Sequence, residues 1–281
     1  MVDSSRALGS TSAAVAPNVR ARRNWGRNVV LNLNMKRSLL ALAGVGALCA
    51  ALPASAAAQA VEVGVATTPL VAPTCPKGVS AAQCTIILTR ATALETIRDT
   101  TAYPSTVKHA GRLVAFTVGL SALSTNATTA QNDIKFLDKT YGGDAQVQIT
   151  VLKRVGPKNH WTWQVVESSP LVDVQPYLGQ LAQFPLTTSL PVTRGETIAL
   201  TTPTWAPVLS IDLPTSHFAY RQSRSRNCNN PPSSSQAQAQ VGQSTKYACD
   251  YPGTRVEYSA TEITNPVPTA TSTTPTKTRR H

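Results

Sequence analysis

Apolar residues recur at every second position through the middle of the chain. Val114, Phe116, Val118 and Leu120 alternate with Leu113, Ala115, Thr117 and Gly119, and Val147, Ile149 and Val151 alternate with Gln146, Gln148 and Thr150. A two-residue period sends neighbouring side chains to opposite faces of an extended backbone, so these segments predict strands with one buried face. Gly156-Pro157-Lys158-Asn159 is turn chemistry, and beyond it Trp161, Trp163 and Val165 share a face. Residues 145–155 and 160–168 are therefore expected to form a hairpin, with Trp161 and Trp163 in the core. Farther along, Phe184, Leu186, Leu190 and Val192 oppose Pro185, Thr187, Ser189 and Pro191. Proline cannot donate to a ladder, which puts that run at a sheet edge or bulge. Arg194-Gly195-Glu196 turns the chain into a strand over Thr197–Thr201, and Val256, Tyr258 and Ala260 make the inner face of a last strand.

Helical spacing is scarce. Ala81–Asp99 carries Ile86, Ile87, Leu94 and Ile97 at loosely helical intervals, but its threonines suit a strand, and a strand is expected there. Seven or more strands with short turns and no alternating helices predict an all-β protein, an antiparallel β-sandwich over 75–264. Residues 221–246 interrupt the pattern with Asn229-Asn230-Pro231-Pro232-Ser233-Ser234-Ser235 and Gln-Ala repeats, and read as a long surface excursion. Residues 61–74 are expected as a flexible lead-in, and the Thr/Pro-rich segment 265–281 as a disordered tail with no apolar stripe to bury.

Met35-Lys36-Arg37 precedes an uncharged apolar run, Leu39–Leu52, then Pro53 and the overlapping small-x-small triplets Ala54-Ser55-Ala56, Ala56-Ala57-Ala58 and Ala58-Gln59-Ala60. That order of features predicts a secretory signal peptide over 35–60. Residues 1–34 then read as a misassigned upstream start or an extended basic leader. An uncleaved anchor is the competing reading, because Arg20, Arg22, Arg23, Arg27, Lys36 and Arg37 would hold the N-terminus inside. Pro53 and the small residues favour cleavage, which leaves no stable membrane span and a secreted, extracellular or envelope-associated product.

Past residue 60 four cysteines remain, Cys75, Cys84, Cys228 and Cys249. An even number in an exported chain predicts two disulfides. Of the three connectivities, nearest neighbours are favoured, each bridge contributing on the order of 3 kcal/mol by restricting the unfolded chain. Their spacing lacks the paired C-x2-C pattern of zinc sites, so no metal is expected.

Composition adds a constraint on partners. The 281 residues include 26 Lys+Arg against 14 Asp+Glu, with 42% apolar, 5% aromatic and 14% charged residues. Seven of the basic groups and one acid lie in 1–60, and Lys277, Arg279 and Arg280 crowd the last five positions. The body from 61 to 264 carries only +3, which is no nucleic-acid footprint.

A resemblance sharpens the architecture. Cys75-Pro76 with Gln83-Cys84 soon after, Gly111 to Ala115, and Pro191-Val192-Thr193-Arg194-Gly195-Glu196-Thr197-Ile198-Ala199-Leu200 resemble exported β-sandwich proteins of actinobacteria. The last of these strings is similar to a hairpin of jelly-roll and carbohydrate-binding sandwiches. The resemblance implies a jelly-roll-like fold and brings no catalytic residues or cofactor with it.

The search for chemistry turns up fragments. Ser210, Asp212 and His217 lie close in sequence, but a triad is a spatial arrangement and no Gly-x-Ser-x-Gly elbow accompanies them. Glu167, Asp173, Glu196, Asp212 and Glu257 show no spacing that selects a catalytic pair. Asn126-Ala127-Thr128 has the form of a glycosylation sequon. For binding, Trp205 between Pro203 and Pro207 is expected in an exposed loop, and Tyr177 is a second platform for stacking against a sugar. Arg221, Arg224 and Arg226 form a basic cluster suited to anionic wall polymers or lipid head groups. The expectation is thus a non-catalytic secreted sandwich that binds or builds at the cell envelope, with a cell-wall polymer or polysaccharide as its partner. The alternative is a secreted hydrolase using His217 with Asp212, or a carboxylate such as Glu167.

Overall fold

In the computed structural model, residues 57–266 are described apart from 66, 80–83, 159, 226–227 and 229–233. The signal segment up to residue 56, Arg226 and the tail from 267 therefore lie outside the described residues. In chain order the strands are β1 (Ala60–Val63), β2 (Leu88–Arg98), β3 (Thr101–Ala102) and β4 (Gly111–Gly119), followed by helix α1 (Ala127–Tyr141). Next come β5 (Gln146–Val155), β6 (Thr162–Ser168), β7 (Val172–Asp173), β8 (Leu181–Val192), β9 (Thr197–Ala206), β10 (Leu209–Ser210) and β11 (Phe218–Gln222). The last four are β12 (Ser244–Thr245), β13 (Cys249–Pro252), β14 (Arg255–Val256) and β15 (Tyr258–Thr264). Every pairing is antiparallel.

A small sheet runs in the order β1-β15-β4-β8, and a large one in the order β12-β6-β5-β9-β2-β11-β13, with β3 beside β2, β7 beside β5 and a separate β10-β14 ribbon. Phe116, Val118 and Tyr258 from the small sheet and Leu88, Ile149 and Leu200 from the large one belong to a single buried cluster. The protein is sandwich-like and all-β in class, as the alternation predicts. The 145–168 hairpin forms as β5 and β6, and β8 lies at a sheet edge.

Bulges complicate the simple alternation. One between Leu113 and Ala115 resets the phase of β4, so Leu113 and Phe116 are both fully buried although three apart. Another sits at Thr96, which faces no partner while Ile97 opposes Ala219 and Glu95 opposes Tyr220. That extra residue brings Glu95 and Arg98 to the same side of β2, a placement that strict alternation forbids.

Three expectations need correction. The segment 61–74 is no loose lead-in: Ala60–Val63 pairs with β15, and Val71 crosses Gly119 so closely that a Cβ there would come 1.8 Å from the Val71 carbonyl oxygen. The stretch 221–246 begins inside β11 and returns as a cover over the outer face of the large sheet. Gln238 is buried there, its N–H donating to Thr92 Oγ1 at 2.8 Å and its Oε1 accepting from Tyr247 Oη at 2.7 Å, and β12 pairs with β6. Beneath it a second cluster gathers Leu94, Leu152, Trp163, Val165, Ala199 and Tyr247. Finally, residues 127–141 are helical. Asn126, read as part of a sequon, is the N-cap, its Oδ1 accepting from the Thr129 N–H at 3.0 Å. Gly142 ends the helix at φ +92°, a conformation that costs glycine little.

The disulfides pair as nearest neighbours, Cys75–Cys84 and Cys228–Cys249. Among the described residues no helix is long and apolar enough to cross a membrane.

Candidate ligand-binding groove

Helix α1 lies against the large sheet through Ile134, Leu137 and Tyr141, whose spacing of three and four puts them on one face. Trp205 locks it there. This residue is in β9 and fully buried, and its indole N–H donates to Asp138 Oδ1 at 3.0 Å and to the Gly143 carbonyl at 3.1 Å. The expected exposed platform is therefore a structural anchor. Its flanking Pro203 misled because β9 is a central strand, yet Pro203 faces the bulge at Arg90, where the β2-β9 ladder is already interrupted and no N–H is required. Arg90 takes φ +46° at that bulge and donates to the Tyr141 and Thr140 carbonyls, closing the helix C-terminus from the sheet side.

Between α1 and the β11 end of the large sheet lies a groove of about 780 Å³. Ile87 and Thr89 come from the β2 side, Phe136, Leu137 and Tyr141 from the helix, Leu209 and Ile211 from the β10 segment, and Tyr220, Gln222, Arg224 and Tyr251 from β11, its continuation and β13. Phe136 is 65% exposed at the edge. Tyr220 and Tyr251 stack with ring centroids 4.9 Å apart at 16°. The Tyr251 hydroxyl donates to the Cys228 carbonyl at 3.1 Å, and the Tyr220 oxygen accepts from Gln222 Nε2 at 2.8 Å. Burial pushes the pKa of both phenols up, and the nearby Arg224 charge partly offsets this.

Arg224 is the unusual member. Only 6% exposed, it has no ion-pair partner among the described residues, and its Nε, like the Oε1 of Gln222, is buried without a hydrogen-bond partner. None of the described residues lining the groove is an aspartate or glutamate. Burying a guanidinium with one nitrogen left without a partner is costly, so this site is electrostatically incomplete.

The other sequence candidates do not join it. Arg221 points away and pairs with Asp250 at 3.3 Å. Tyr177 is 42% exposed in a short 3-10 turn, edge-on to Phe184 of the small sheet. Trp163 is buried as expected and Trp161 half-buried, but the face they offer is occupied by the chain's own Arg154, whose guanidinium carbon sits 4.5 to 4.8 Å from the ring centres of Tyr103, Trp161 and Trp163.

Ser210, Asp212 and His217 form no hydrogen-bonded relay among the described residues. The Ser210 hydroxyl donates instead to Glu257 Oε1 at 2.6 Å, while His217 is exposed beside Phe218. Nor do three His, Cys, Asp or Glu side chains converge into a metal-binding group among the described residues.

The groove's aromatic members were missed at the level of sequence, although the apolar positions of β11 alternate around Tyr220 and the Asn126 cap with Ile134, Leu137 and Tyr141 spells a helix. A scan of protein-family models, a search of curated proteins and a search of solved structures each found no match to the chain. The site's own geometry carries the reading.

Proposed function

We propose that the protein is an exported, non-catalytic β-sandwich that binds a ligand at the cell envelope or outside the cell, with the groove beneath α1 as its binding site. Two disulfides support an oxidising destination, since such bridges rarely persist in a reducing cytosol. The observation that carries the binding role is the buried Arg224, without an ion-pair partner among the described residues, in a recess of ligand size lined by apolar, aromatic and uncharged polar side chains. A neutral polysaccharide is disfavoured as the ligand, because Trp205 is internal and the Trp161–Trp163 face is taken by Arg154.

Two measurements test this reading. Fractionation of the producing culture should find the chain in the medium or envelope with its N-terminus cut between residues 53 and 61. The exported form should also retain material from an envelope extract, identified by native mass spectrometry. Retention in the cytoplasm, or a hydrolytic activity abolished by His217→Ala or Glu167→Ala, would replace the reading with a different one.

A further inference from the structure

Resting on that reading of the groove as the binding site, we propose that its ligand is a single-chain amphiphile carrying one anionic oxygen head group. The head lies against Arg224 and Gln222, and the apolar tail runs past Ile87, Phe136, Leu209 and Ile211.

Charge decides the head. Among the described lining residues there is one guanidinium without a counter-charge and no carboxylate, which matches an oxyanionic head group. Arg224 is more than nine-tenths buried and its Nε has no partner, so an oxyanion placed beside it recovers a cost the free protein already bears. Gln222 adds to the match. Its amide and the Tyr220 hydroxyl form a pair in which either group is able to donate, so turning the amide over presents its N–H2 to the head while the Tyr220 O–H donates to its carbonyl.

The walls decide the tail. Ile87, Leu137, Leu209 and Ile211 give an apolar lining, and Phe136 projects at the rim with most of its surface in water although it sits on a helix whose neighbouring turn is packed. A long-chain carboxylate and a lysophospholipid share the required chemistry, an oxyanion on an apolar chain.

The test uses the exported protein and titration calorimetry with four probes: oleate, oleyl alcohol, acetate and 1-oleoyl-lysophosphatidate. Oleate or the lysophosphatidate should bind, oleyl alcohol at least tenfold more weakly, and acetate not measurably. Arg224→Leu should weaken the anionic amphiphile at least tenfold and leave oleyl alcohol unchanged, while Arg224→Lys recovers part of the loss. Phe136→Ser changes an exposed side chain and so leaves the fold intact; it should weaken both oleyl compounds alike. Preference for oleate over the lysophosphatidate, or the reverse, identifies the head as carboxylate or phosphate and supports the proposal either way. Equal affinity for oleate and oleyl alcohol, or an Arg224→Leu protein that binds oleate as the wild type does, overturns it. If no amphiphile binds but an envelope polymer does, the ligand class is wrong and the binding module stands. If nothing from the envelope binds, the module reading itself fails.

Discussion

Arg98 and Arg224 stand near opposite ends of the same strand pair, β2 with β11, and both are removed from water, yet their surroundings differ completely. Around Arg98 the protein supplies every partner. Its Nη2 donates to Glu95 Oε1 at 3.0 Å and to the Val256 carbonyl at 2.9 Å, and its Nε lies 2.9 Å from Glu95 Oε2, an ion-pair contact whose angle falls short of a hydrogen bond. Arg255 and Glu257 extend the network at 3.2 Å and tie down the N-terminal segment, Arg255 donating to the Thr68 and Pro69 carbonyls and Glu257 accepting from the Val71 N–H. Around Arg224 there is no such provision among the described residues. A charge that the fold neutralises internally serves the fold, whereas on the proposed reading one left open in a recess is completed from outside.

The sharpest test of the contrast is Arg98→Met, which strands Glu95 in the core and should cost about 3–5 kcal/mol in denaturant unfolding at pH 8. The cost should shrink at pH 5, where Glu95 is protonated. Next is the pH dependence of the wild type. Burial, partly opposed by Arg98 and Arg255, raises the Glu95 pKa to about 7, and burial likewise raises that of Glu257. Between about pH 4.5 and 7 the folded protein keeps a proton that the unfolded chain has released, so stability falls as pH rises through that window, by on the order of 3 kcal/mol for Glu95. Glu95→Gln should flatten the slope of unfolding midpoint against pH; an unchanged slope would mean that the carboxyl titrates normally. A smaller loss, about 1.5 kcal/mol, is expected for Ser210→Ala, which removes the hydroxyl donor from Glu257. Last, Arg224→Leu should leave the unfolding midpoint unchanged or slightly raised, because it deletes an unpaired charge. A destabilisation as large as that of Arg98→Met would erase the distinction between the two sites.

Strands were legible in this sequence wherever alternation ran undisturbed, as in Gln146–Val151 and Val256–Ala260. Their phase was not, because the bulges at Arg90, Thr96 and Val114 are decided by cross-strand fit rather than by local composition. The Glu95–Arg98 pair exists only through one of them. Helix α1 was obscured by its threonines and by a mean polarity that resembles a loop, while its Asn126 and Gly142 boundary signals were in plain view. Of the site, Arg224 was legible as a basic residue near a cysteine, but its burial was not, because it depends on tertiary contacts that local composition does not announce. Trp205 illustrates the converse: two prolines implied a loop, and the neighbouring strand's bulge made one of them admissible in a sheet.

Ala60 faces Ile263 across the first and last strands, and Gln59 and Thr264 exchange two hydrogen bonds at 3.1 and 2.8 Å. Both ends of the folded body thus leave it side by side. Joining them through a short glycine-rich linker and reopening the chain at the exposed Thr193–Gly195 turn should yield a circular permutant that still folds. By the same geometry, cargo fused at either end would stand on one side of the protein.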